Sequence, residues 1–273
     1  MAAVAEGFIT IQTEDSASVN YGISANGLAS SMSVTAKGQN EEGNGVNVYS
    51  SGKLSHAVYA QNGTTDITAE NGGISVVADG AEATDAILSG TSFDGTDSHV
   101  KMTANGNIFL SAYNDSDVYA NTSYAVGIFA NSYGPAVETT LSGQDITIKA
   151  KSESNAAYAV YGYASGDGAS NDVNISGNNV SIEASGHQSY SYGIYSGNSD
   201  IDIKAKGSTS VTSSTYGIYS ANNSRISLTA ANGNTISSNS YGLLTYDSHV
   251  SLEADKGTNE ITAGQYGIYH GIF

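Results

Sequence analysis

Residues 216–269 read YGIYSANNSRISLTAANGNTISSNSYGLLTYDSHVSLEADKGTNEITAGQYGIY, almost one sentence said twice with a third beginning. Self-similarity at a fixed period marks an array in which each copy is one structural unit. Aligned on the small residue after the tyrosine, the phrase recurs at Gly22, Ala57, Ala86, Ala125, Ala159, Gly193, Gly217, Gly242 and Gly267. The steps are 35, 29, 39, 34, 34, 24, 25 and 25 residues. The following residue is apolar in every copy: Ile23, Val58, Ile87, Val126, Val160, Ile194, Ile218, Leu243 and Ile268. At the fourth copy Gly127-Ile128-Phe129 fits as well. The regular spacing lies toward the C-terminus, and the longer steps imply insertions of about ten residues into otherwise similar units.

Each copy continues into a turn-like cluster, "SANG", "AQNG", "SGNS" or "SANN", whose Gly and Asn tolerate a left-handed corner. A second phrase then alternates apolar and polar residues. Its members are Met32-Val34-Ala36, Val100-Met102-Ala104, Ile146-Ile148-Ala150, Val180-Ile182-Ala184, Ile201-Ile203-Ala205, Ile226-Leu228-Ala230 and Val250-Leu252-Ala254. A period of two rich in β-branched residues predicts a strand with one buried face. A third, shorter phrase carries Val211, Ile236 and Ile261.

Three strands per unit of about 25 residues, with no helical period, exclude helical repeats and four-stranded propeller blades of about 40 residues. Hairpin signals for a sandwich are missing. The sequence therefore predicts an all-β chain folded as a right-handed parallel β-helix, a three-sheet solenoid of about nine to ten coils. At about 4.8 Å per coil the rod would be roughly 45 Å long. In the anchor phrase the third residue is expected to point inward, and the first to share that side at a corner with its hydroxyl reaching water. The second and fourth residues are expected to point outward. This places Tyr161, Tyr195, Tyr219, Leu244 and Tyr269 in one outward column beside a strip of small residues, a candidate binding or self-association ladder.

Composition narrows the partners. The 273 residues include 32 Gly, one Pro, 19 Tyr and no Cys or Trp, and 26 acidic residues against 9 basic ones give a net charge of −17. Phosphate neutralisation needs clustered Lys and Arg, so nucleic acid is excluded as a partner. No apolar run approaches the roughly 18 residues of a membrane span, so no membrane insertion is expected. Without cysteine there is neither a disulfide framework nor a thiolate metal site. The opening "MAAVAEGFITIQTED" lacks the basic start and apolar stretch of a signal peptide.

The "YGIYSxNS", "xIxLxA" and "NTIxxxxYG" phrases, with the acidic Ser/Asn/Gly/Thr-rich make-up and the missing cysteines, resemble the passenger domains of Gram-negative bacterial autotransporters. The resemblance covers essentially all of residues 1–273 as a single β-helix passenger fragment, with regular coils over 158–273 and longer, inserted coils over 22–157. It implies an extracellular protein displayed on the cell surface through a C-terminal outer-membrane barrel that this sequence lacks. It further implies an adhesin or self-association module whose partners are host or bacterial surface proteins or glycans.

Signatures of catalysis are sparse. There is no Gly-x-Ser-x-Gly elbow, and His56, His99, His187, His249 and His270 are scattered, with His99 and His249 outward-facing. The alternative function is a polysaccharide lyase or hydrolase, which needs paired carboxylates. Asp200 and Asp202, with Lys204 on the same strand face, are the candidates, and long loops from residues 86–192 converging over them would favour catalysis. A solvated ladder in which Lys149, Glu183 and Lys204 alternate in sign down one column is the simpler reading. No catalytic residue, resident metal or cofactor is therefore expected. The loops holding Asp94 and Asp97, Asp115 and Asp117, and Asp167 and Asp172 offer oxygen ligands to Ca²⁺, but none has EF-hand spacing. The mixed outward columns also lack the regular threonine rows of an ice-binding face.

Overall fold

The computed structural model describes residues 1–115, 124–187 and 190–271. Among these, 23 strands and no helix are present, and every pairing between them is parallel. Strands pair with the equivalent strand one coil later, so the chain winds as a right-handed β-helix with three faces.

Sheet A carries the Tyr-Gly-Ile-Tyr phrases. Its members include Ala83–Gly90, Tyr124–Ser132, Ala156–Ala164, Ser191–Gly197, Tyr216–Ala221, Tyr241–Tyr246 and Tyr266–Gly271. Sheet B follows each of these, through Ser98–Ala104, Val137–Ser142, Asn171–Gly177, Asp200–Ala205, Arg225–Ala230 and His249–Ala254. Sheet C closes the coil, through Gly73–Gly80, Ile108–Asn114, Asp145–Ser152, Asn179–Ser185, Ser208–Ser213, Gly233–Ser238 and Glu260–Ala263. In the first two coils the chain turns its corners without leaving extended structure, so Ile9–Ala36 and Asn44–Ala69 each run through all three faces.

The interior is a set of apolar columns, one rung per coil. Ile87, Ile128, Val160, Ile194 and Ile218 stack in sheet A. Met102, Leu141, Ile175, Ile203 and Leu228 stack in sheet B, and Leu110, Ile148, Ile182, Val211 and Ile236 stack in sheet C. All are essentially inaccessible to solvent. Burying a side chain of this size contributes about 1.5–3 kcal/mol, so each coil adds a comparable increment to its neighbours' stability. Asn198, Asn222 and Asn223 adopt positive φ at the corner between sheets A and B, as the turn clusters require.

The geometry corrects four assignments made from the sequence. Ile146-Ile148-Ala150 and Val180-Ile182-Ala184 lie in sheet C, above Thr209 and Val211, and not in sheet B. The sheet-B rungs of those coils are Thr139-Leu141 and Val173-Ile175. Lys149 and Glu183 do pair at 3.1 Å, but on sheet C; Lys204 sits on sheet B between Ser176 and Thr229, so the three form no common column. In the fourth copy of the anchor, Ile87 pairs with Ile128 and Asp85 with Val126, so the phrase is Val126-Gly127-Ile128-Phe129.

The fourth correction concerns which way the anchor side chains face. In every layer the ladder pairs the first and third residues and skips the second, as in Tyr192↔Tyr216 and Ile194↔Ile218. This bulge-like irregularity turns two consecutive residues inward. A Cβ added at Gly193 would lie 2.4 Å from Val211 Cγ1 and 2.6 Å from the Gly217 carbonyl oxygen, so the second residue faces the core and must be small. The first residue consequently shares the outer face with the fourth.

Candidate ligand-binding face

The shared outer face of sheet A carries two adjoining columns of rings. In one, Tyr158, Tyr192, Tyr216, Tyr241 and Tyr266 stack with centroids 5.0, 4.7, 5.3 and 5.1 Å apart. In the other, Phe129, Tyr161, Tyr195 and Tyr219 stack at 5.0, 4.8 and 5.0 Å. The columns meet edge to face, with Tyr158–Tyr161 at 5.4 Å, Tyr192–Tyr195 at 5.6 Å and Tyr266–Tyr269 at 5.8 Å. Parallel contacts along the rod and perpendicular ones across it are the two arrangements that an aromatic quadrupole favours.

Of the five residues singled out from the sequence, Tyr161, Tyr195 and Tyr219 are half-buried members of this array, and Tyr269 is 41% exposed. Leu244 differs. It is only 6% exposed, and Tyr246, with its ring 6.1 Å from Tyr219 and 6.3 Å from Tyr269, continues the aromatic surface at that level. Strict alternation would turn the first column inward, which hides it as surface in the sequence. Its signal was nonetheless present, since His and Asp at the first position are poor core residues.

Burial raises the tyrosine hydroxyl pKa values, with neighbouring tyrosines adding to the effect. Tyr195 is pushed up to about 12, and Tyr161 and Tyr192 are raised further. All of these hydroxyls are therefore protonated at neutral pH and able to donate.

Nearer the N-terminus the first column holds His56 and Asp85, with Asp85 Oδ2 2.7 Å from His56 Nδ1. Both are buried, and the Tyr21 ring stacks on His56 at 5.5 Å. Burial raises the Asp85 pKa while His56 pulls it down, and among the described residues Asp85 Oδ1 has no hydrogen-bond partner. Sequence pattern does not reveal the pair, because the residues are 29 positions apart and only the stacking of coils joins them.

Sheet B carries the acidic candidates. Asp202 pairs with Lys204 at 2.5 Å and Asp200 with Arg225 at 3.5 Å, on an outer face that also includes Glu253 and His249. Glu138, Asp172 and Asp200 stack in successive coils, with His99 3.4 Å from Glu138. Burial, then Asp200 and Glu138, raise the Asp172 pKa. The described insertions at 91–97 and 133–136 converge on the edge of sheet A, where Phe93 and Tyr133 rings lie 5.8 Å apart. With Tyr59, Leu88 and Phe129 they enclose a groove of about 360 Å³. Among the described residues no group of three or more His, Cys, Asp or Glu is placed to hold a metal ion. Asp97 Oδ1 instead accepts from the Ala136 amide at 3.0 Å, and Asp117 lies outside the described residues.

No protein-family model matches the chain, and no curated protein or solved structure shows significant similarity to it.

Proposed function

We propose that this β-helix is a non-enzymatic passenger-type rod, displayed outside a Gram-negative cell through a membrane barrel, and that it works as an adhesin or self-association module. The observation that carries this reading is the double ring column on sheet A. Five tyrosines of one column and the Phe129–Tyr219 run of the other form a continuous half-exposed surface. Contiguous apolar surface of this kind marks interaction sites, and tyrosine is among the residues enriched at binding hot spots. The strongly acidic chain keeps the rest of the surface soluble. Replacing Tyr195, Tyr219 and Tyr269 together by serine tests it. Loss of cell clumping or ligand capture with little change in melting temperature supports the reading; a large fall in melting temperature with unchanged association refutes it.

A second reading, a polysaccharide-cleaving enzyme, draws on the stacked Glu138, Asp172 and Asp200 carboxylates with the raised pKa of Asp172. Release of oligosaccharides from any glycan by the parent, abolished in Asp172→Asn or Asp200→Asn, would favour it over the adhesin.

A further inference from the structure

At its N-terminal end the aromatic face opens into a groove, and one glycine makes the opening. Gly90 lies on the floor between Gln61 in the preceding coil and Asn131 in the next. Its φ is not positive, so the backbone does not demand glycine. Nor does crowding: an added Cβ would meet nothing closer than the Asn131 carbonyl oxygen at 3.5 Å and Leu88 Cδ2 at 3.8 Å. At the anchor glycines Gly22, Gly193, Gly217 and Gly242, by contrast, the same atom would collide with the core. Gly90 therefore leaves space that the fold could fill. The space measures about 360 Å³, within the range of about 300–1,000 Å³ typical of small-molecule sites.

The walls of that space specify a chemistry. Phe129 and Tyr59 form the flanks, and Phe93, 72% exposed, rises as a flap beside Tyr133 from the inserted loops. Two amides stand among these rings. Gln61 Oε1 accepts from the Tyr59 hydroxyl at 2.5 Å, which leaves the amide nitrogen as a donor. Asn131 is nine-tenths buried, and among the described residues its Oδ1 has no hydrogen-bond partner. A buried amide oxygen left unpaired is costly unless something bonds to it. Among the described residues no Lys, Arg, His, Asp or Glu lines the groove, although the whole chain carries a charge of −17.

We propose that this groove is a subsite for a neutral sugar. The flat C–H face of a pyranose carries slight positive charge and complements the negative face of an aromatic ring. Its hydroxyls both donate and accept, as the amides of Asn131 and Gln61 require. A sialic acid or uronate would bring a carboxylate to a site without a cation, on a protein already strongly negative. A purely aliphatic ligand would leave the Asn131 amide unpaired. Phe129 stacks on Tyr161 at 5.0 Å, so the groove is the head of the aromatic column and a glycan chain seated there would continue along it. The inference rests on the surface-binding reading and gives its ligand a chemical class.

The test uses the full chain on an array of immobilised neutral hexose and N-acetylhexosamine oligosaccharides, with sialylated and uronate-containing counterparts, beside a cell-clumping assay. The parent should bind neutral members and pass over the acidic ones. Gly90→Val, which fills the groove, should weaken binding at least tenfold with an unchanged melting temperature. Phe93→Ala, at an exposed loop position that cannot unsettle the core, should do the same. Preference for acidic glycans, or undiminished binding by both variants, would overturn the subsite. Clumping without neutral-glycan binding would also overturn it, while leaving the surface-binding reading standing; absence of both would remove the two together. Should Gly90→Val abolish capture of a protein while no glycan binds, the groove holds a polypeptide and the sugar assignment fails.

Discussion

The Tyr192 ring lies 4.7 Å from the Tyr216 ring, with the two planes 9° apart. That separation is the spacing of hydrogen-bonded strands, about 4.7–4.9 Å, so the solenoid itself sets the stacking distance. A parallel β-helix places identical residues one strand apart, and a repeated tyrosine becomes a stack without further design. The outer face of sheet A inherits its aromatic order from the period of the sequence.

This packing predicts a delayed alkaline titration. Tyrosine in an unfolded chain ionises near pH 10, whereas burial holds Tyr195 at about 12 and raises Tyr161 and Tyr192 as well. The folded state therefore binds more protons than the unfolded state across this window. Stability should be fully present below pH 10 and fall as the pH rises from 10 to 12. Tyrosinate absorbance and far-ultraviolet circular dichroism recorded together check this, and the Tyr195→Ser, Tyr219→Ser, Tyr269→Ser variant should show fewer late-titrating tyrosines.

A second expectation separates two glycines at the same place in the repeat. A Cβ at Gly217 would lie 2.5 Å from both the Gly242 carbonyl oxygen and Ile236 Cγ2, whereas a Cβ at Gly267 meets nothing within 4 Å among the described residues. Gly217→Ala should thus cost about 1–3 kcal/mol, the usual price of overpacking. Gly267→Ala should be close to neutral. Denaturant unfolding of the two variants measures the difference directly.

Those glycines also show what sequence pattern could and could not reveal. The architecture was legible because Ile218, Leu243 and Ile268 recur one coil apart and no other fold explains three strands in so short a unit. The facing of the anchor was not, because alternation assumes a regular strand and each layer carries an irregularity at its second residue. Sheets B and C were confused at Ile146 and Val180 because both use the same alternating apolar phrase. At the position where neighbouring coils have alanine, these sheet-B coils have Gly143, just past Ser142, and Gly177, so the pattern does not reveal them. The Phe93 and Tyr133 groove lay in inserted loops, where no repeat guides the eye.

The core columns make a sharper prediction at Leu228, which is fully buried between Ile203 and Leu252. Leu228→Ala should cost about 2–5 kcal/mol. Leu228→Asp should abolish cooperative unfolding, because an unpaired carboxylate in an apolar column is far costlier than a cavity. Ser227→Ala, one residue away on the outer face, should melt within a degree or two of the parent. A cooperative transition retained in Leu228→Asp would show that the strand register is wrong.

The buried His56–Asp85 pair carries the last prediction. Asp85 is fully buried, one oxygen lies 2.7 Å from His56 Nδ1, and the other has no partner among the described residues. Burial dominates and raises its pKa, so the folded chain holds this proton more tightly than the unfolded chain does. Between the ordinary carboxylate value of about 3.9 and the raised folded value, the native state binds the extra proton, and stability falls as the pH climbs through that window. Asp85→Asn keeps an oxygen acceptor for His56 and removes the charge that burial penalises. Its stability should therefore exceed the parent's at neutral pH and vary less between pH 4 and 8. Asp85→Ala should be less stable than Asp85→Asn throughout, since it leaves a buried imidazole without its partner. Denaturant midpoints at each pH distinguish the outcomes: a parent whose stability rises with pH across the same range would show that the ion pair with His56, and not burial, governs the site.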